Sequence, residues 1–133
     1  MSADEIFFDT NILVYLISGE ARKARVSNEL IVEGGVISVQ VLNEFVSVAR
    51  RKYRLTWRDI GVVLATAKAS CRIVPLSLEI HELGLKLAER HQFSPYDSMI
   101  VAAAELAGCA VLYTEDMHDG LVIGGLTLRN PYR

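Results

Sequence analysis

Short apolar runs that end at a polar residue and give way to helical periodicity recur along this chain, and that alternation restricts its fold more than any other feature. Ile6-Phe7-Phe8 stops at Asp9, after which Ile12, Leu13, Tyr15 and Leu16 repeat at helical spacing, so a strand, a tight turn and a helix are expected. Residues 20–33 read as a second helix stopped by Gly34-Gly35, and Val36-Ile37-Ser38 as a strand. A helix is expected over 39–53, another over 56–70 behind a Thr cap, a strand over 72–76 closed by Pro75, and a helix over 77–90. Ser94-Pro95 supplies a cap and a first-turn proline for a helix ending at Gly108. Ala110 to Tyr113 reads as a buried strand ending at Thr114, and residues 121–128 as a Gly-Gly hairpin or a strand with a turn. Strands that are apolar throughout, rather than alternating, belong to a parallel sheet covered on both faces. The expected architecture is α/β: a single domain over residues 1–133, with a parallel sheet flanked by helices on both faces.

Composition narrows the function classes. With 51% hydrophobic and 23% charged residues among 133, the chain has enough apolar surface for one core and is not a disordered segment. No apolar run approaches the ~20 residues needed to cross a bilayer. The sequence Met1-Ser2-Ala3-Asp4-Glu5 is acidic where a secretory signal is basic, so a cytoplasmic location is expected. Cys71 and Cys109 lie in apolar surroundings at no metal-binding spacing and read as reduced core thiols. A formal net charge of −2 argues against a protein that coats DNA, but not against a nuclease whose acidic site offsets a basic groove.

Four acids stand out by position. Asp9 and the Glu115-Asp116 pair follow directly on apolar strands, and in open parallel sheets ligands bind beyond the carboxyl ends of the strands. Asp9 or Thr10 would also serve as a helix cap. Glu44 sits at the edge of the apolar stripe made by Val41, Leu42, Phe45, Val48 and Ala49, where it either reaches water or is held for chemistry. Asp97 lies three residues after Ser94, a variant of the capping box, yet it opens a helix that is apolar on all sides. These four are 35, 53 and 19 positions apart, so only the fold can unite them. Two carboxylates ~4 Å apart repel by about 4 kcal/mol at an effective dielectric of about 20, so a cluster implies a cation. All-oxygen ligation selects Mg²⁺ or Mn²⁺ over zinc, and such ions most often serve phosphoryl chemistry.

Ile6 to Leu13, Ser38 to Phe45, Tyr96 to Ala104 and Leu112 to Met117 together resemble the successive acidic motifs of PIN domains, and most of all those of VapC-type toxins from prokaryotic toxin-antitoxin pairs. The resemblance covers positions 6 to about 128. It implies a Mg²⁺-dependent endoribonuclease whose metal-binding, catalytic acids are Asp9, Glu44, Asp97 and Asp116. Thr10, Asn11, Thr114 and Asp119 would be polar supports, with Glu115 and Asp119 competing with Asp116 for the fourth place. It also implies an antitoxin protein that blocks or remodels the site. A weakly active PIN-fold module for RNA binding or protein interaction is the alternative.

Other α/β classes fit less well. A haloacid-dehalogenase phosphatase wants an Asp where Asn11 stands, and a two-component receiver wants a lysine after its last strand, whereas no lysine follows Lys86. No Ser-His or Cys-His couple recommends itself, and His118 reads as a solvated turn residue. Residues 50–58 carry five basic side chains and no acid, with Tyr53 and Trp57 available for stacking, so Arg50, Arg51 and Arg54 are expected to contact RNA. Arg22, Lys23 and Arg25 form a weaker second patch. Ile12, Leu13, Tyr15, Leu16 and Ile17, joined by Val26, Leu30 and Ile31, offer an apolar surface for the antitoxin, for a homodimer, or for the protein's own later helices.

Overall fold

The computed structural model describes residues 5–133; Met1 to Asp4, on which most of the non-secretory reading rests, lie outside the described residues. The first strand, β1 (Ile6–Phe8), ends where Asp9 caps α1 (Thr10–Val14), its carboxylate accepting from the Thr10 N–H. The chain continues through α2 (Ala21–Glu33), β2 (Gly35–Ser38), α3 (Val39–Arg51) and α4 (Trp57–Ser70). It then forms β3 (Cys71–Val74), α5 (Leu78–His91), α6 (Pro95–Leu106), β4 (Val111–Tyr113), β5 (Val122–Ile123) and β6 (Leu126–Arg129). Serine and threonine caps set the helix starts: the hydroxyls of Ser38, Thr56, Ser77 and Ser94 each accept a first-turn N–H.

The six strands lie in the order β3-β2-β1-β4-β6-β5, all parallel except the β5–β6 pair. That last pair is the Gly124-Gly125 hairpin, with Gly124 at φ +58°. Right-handed crossovers send the connections from β1 to β2 and from β2 to β3 over one face, and the return from β3 to β4 over the other. The order therefore reverses between β1 and β4, which places the crevice of a doubly wound sheet beyond their carboxyl ends. Phe7, Phe8, Val36, Ile37 and Leu112 are fully buried, as apolar strands between two helical layers require. Cys71 and Cys109 are buried and form no disulfide, as expected of core thiols. None of the described helices is long and apolar enough to cross a membrane.

Two elements differ from the sequence reading in ways that bear on function. The helix expected to reach residue 53 stops at Arg51, because Arg54 adopts φ +53° and the chain turns there. The first helix is only one turn, and Tyr15, Leu16 and Ile17 follow it half-buried against the core. Ile12, Leu13 and Ile31 are fully interior, and the Tyr15 ring packs edge-on against Tyr132 of the C-terminal segment rather than against a later helix, so part of the surface read as an antitoxin seat is covered within the chain.

Candidate active site

Four segments meet at the β1/β4 crevice. Asp9 follows β1, Glu44 rides on α3, Asp97 lies in the first turn of α6, and Asp116 follows β4; all four line one cavity of about 330 Å³. The ladder extends past the strands to hold the first and last of these: Asp9 N–H donates to Tyr113 O at 3.0 Å and Thr114 N–H to Arg129 O at 2.9 Å. Asp9 is buried, Glu44 and Asp97 are half-buried, and Asp116 is exposed at the mouth.

Neutral donors orient these acids. Thr114 Oγ1 donates to Asp9 Oδ2 at 2.7 Å, and Thr10 N–H to Asp9 Oδ1 at 2.6 Å. Glu44 accepts from the Thr10 hydroxyl at 2.9 Å on one oxygen and from Gln40 Nε2 at 2.8 Å on the other. Asn11 Nδ2 donates to Asp116 Oδ2 at 3.0 Å. Among the described residues, no lysine or arginine bridges any of the four, so their negative charge stays uncompensated.

Burial and the neighbouring charges shift the carboxyls of Asp9 and Asp97. Burial pushes the Asp9 carboxyl up to about 7; the hydrogen bonds from Thr114 and Thr10 oppose the rise, and the charges of Asp97 and Asp116 add to it. Asp97 is raised as well, first by burial, with Glu44 and Asp116 adding to the effect against its bond to Ser94. Such shifts mark a place where charge is crowded for a purpose other than stability.

The donor set suits a hard divalent cation. It is all oxygen, and the buried Asn11 Oδ1 has no hydrogen-bond partner although its amide nitrogen is engaged. Among the described residues, no three His, Cys, Asp or Glu side chains close in tightly enough to cage a bare ion. Mg²⁺ makes no such demand, because it keeps several waters and takes only one or two carboxylates directly.

Several expected residues are placed differently. Asp119 is turned to the C-terminal segment, accepting from Asn130 N–H at 2.9 Å and pairing with Arg133, so it is not a support of the four acids. Glu115 lines the cavity but is engaged by the Tyr15 hydroxyl and the Lys23 ammonium. Burial alone would raise its carboxyl, but these two partners bring it below its ordinary value, so Asp116 is the acid of that motif left free of cations. Arg50, Arg51 and Arg54 are exposed and do not line the cavity; Arg50 donates to Leu55 O at 2.8 Å and lies over the Trp57 ring. From that basic segment Lys52 and Tyr53 face the cavity instead. Sequence reasoning offered Tyr53 for stacking and counted Lys52 among the basic residues of the segment without singling it out, and it passed over Gln40. The signal was the spacing Gln40, Glu44, Val48, Lys52, one ridge of α3 at intervals of four. His118 is exposed and does not line the acid cavity.

A doubly wound α/β domain with crowded carboxylates at its switch point is the class that this fold and site define. The PIN domain model matches residues 6–118, and the chain belongs to that family. Its structure is similar to a toxin-antitoxin complex from Klebsiella pneumoniae, at 27% identity and TM-score 0.70, over 96% of this chain and 98% of that one. It also resembles VapC20 of Mycobacterium tuberculosis, described as a sarcin-ricin loop cleaving toxin, at 23% identity and TM-score 0.67, covering 84% of this chain and 89% of that one. A third likeness is to VapBC2 of Rickettsia felis bound to a promoter DNA fragment, at 22% identity and TM-score 0.66, over 94% and 97% of the two chains. Among curated proteins, none matches the sequence.

Proposed function

We propose that this protein is a divalent-metal-dependent endoribonuclease acting in the cytoplasm as the toxin of a toxin-antitoxin pair, with RNA as its substrate. The observation that carries the proposal is the convergence of Asp9, Glu44, Asp97 and Asp116 on one cavity with neutral hydrogen-bond partners and no bridging cation. Membership of the PIN family and the likeness to a toxin-antitoxin complex support it. Asp9, Asp97 and Asp116 would hold Mg²⁺ or Mn²⁺, with Glu44 completing the set. A bound ion of this kind stabilises the charge of a phosphodiester under attack and lowers the pKa of an attacking water. Thr114, Thr10, Gln40 and Asn11 aim Asp9, Glu44 and Asp116 at the cavity, because each donates a hydrogen bond to a carboxylate oxygen.

The partner of this reading is an antitoxin that places a basic side chain at the mouth of the acidic cavity, where Asp116 is exposed. A homodimer is part of the same proposal, since Leu76, Leu78 and Tyr96 are at least half exposed at the start of α5 and α6. Incubation of purified protein with RNA and Mg²⁺ or Mn²⁺ tests the activity. Cleavage that disappears in chelator and in an Asp97→Asn variant is expected; undiminished cleavage in excess chelator refutes the metal mechanism.

A further inference from the structure

The acid cavity has one feature that acidic chemistry alone does not need. Among its described lining residues are the acids Asp9, Glu20, Glu44, Asp97, Glu115 and Asp116 and one lysine, Lys52, which is bridged to no carboxylate, whereas Lys23, just outside the lining, is paired with Glu115. The Lys52 ammonium instead lies 5.4 Å from the centre of the Tyr53 ring, which lines the same cavity half-buried. Lys52 is the C-cap of α3, and beyond it the positive φ of Arg54 turns the chain away, so the pair stands at the end of the helical ridge that begins at Gln40 and Glu44.

Eight residues of helix separate Glu44 from Lys52, about 12 Å along the axis at about 1.5 Å per residue. That exceeds one nucleotide step, about 3.4 Å in a stacked strand. A cation at that distance, about three such steps, meets a phosphate a few nucleotides along from the one at the acids, and the aromatic face beside it suits an unpaired base. Resting on the ribonuclease reading above, we propose that Lys52 and Tyr53 form a subsite for a nucleotide a few steps from the scissile one in single-stranded RNA. In it Lys52 takes a non-scissile phosphodiester and Tyr53 stacks on the adjoining base, so both are substrate-positioning residues that leave the chemical step alone.

The test uses a short fluorescein-labelled single-stranded RNA of mixed sequence, read both by cleavage with Mg²⁺ and by binding anisotropy. Lys52→Ala should raise KM and the binding Kd about tenfold, the loss of one charge-assisted contact, with kcat within about twofold. The slope of log affinity against log salt should fall by about 0.7, as for one phosphate contact to a single strand. Lys52→Arg should restore both values, and Tyr53→Phe should behave as wild type while Tyr53→Leu weakens binding about tenfold. Lys68→Ala, which removes an exposed charge on α4, is the control and should change neither quantity. An unchanged KM and salt slope in Lys52→Ala, an equal effect from Lys68→Ala, or a loss confined to kcat overturns the subsite. If wild-type protein binds the RNA without cutting it, the nuclease reading fails while the anisotropy series still decides the subsite; wild-type protein that neither binds nor cuts overturns both.

Discussion

At the scale of single residues, the site trades stability for charge. Asp97 is half-buried and faces other carboxylates, so replacing it with asparagine removes repulsion while preserving shape. Asp97→Asn is expected to abolish cleavage yet unfold in chelator at the same or a higher urea concentration than wild type. Lost folding together with full specific activity in the folded fraction would return Asp97 to a purely capping role. The raised Asp9 carboxyl gives a pH dependence whose sign is fixed. Its proton is held more tightly in the folded chain, at about 7 against 3.8, so the folded state is favoured at low pH and that advantage is lost as pH rises through this window. Urea midpoints measured in chelator should therefore fall between pH 5 and pH 7.5, and Asp9→Asn should flatten the fall. A midpoint that rises over the same interval would contradict this.

At the scale of elements, close approaches decide which glycines are free. A Cβ on Gly35 in β2 would lie 2.6 Å from the Phe8 ring and 2.8 Å from the Ile6 carbonyl, whereas one on Gly61 in α4 would meet nothing within 4 Å. Gly35→Ala should cost about 1–3 kcal/mol in urea unfolding, and Gly61→Ala should gain about 0.5–1 kcal/mol. Equal effects at the two positions would refute the packing argument. Most elements were legible because strand, cap and glycine signals coincide, as at Ser38, Thr56 and Ser94. Asp9, Asp97 and Asp116 stood out in the sequence by their places at strand and helix ends and Glu44 by its place at the edge of the apolar stripe of α3, and all four line one cavity. Lys52 was not, because the turn at Arg54 redirects a uniformly basic segment in a way that composition does not encode. Asp119 misled for a related reason: its partners, Asn130 and Arg133, lie on a segment whose return to this corner only the tertiary fold reveals.

For the whole molecule, uncompensated charge should couple metal binding to stability. A cation that binds the folded chain alone adds about 2.7 kcal/mol at a hundredfold excess over its Kd. Titrating Mg²⁺ or Mn²⁺ into chelated protein should raise the thermal midpoint progressively, and Asp97→Asn should blunt the rise. An equal response in both proteins would place the ion elsewhere.

The strand order has a temporal consequence. β1, the first of the described strands in chain order, is central in the sheet, and its register with β4 pairs Phe7 with Leu112. β4 in turn is braced by β6, which ends at Arg129. During translation Asp9 therefore waits beside an incomplete sheet until nearly the whole described chain has emerged, because contacts so distant in sequence form late. An emerging chain therefore carries Asp9, Glu44 and Asp97 before β4 and β6 exist to form the crevice that unites them with Asp116.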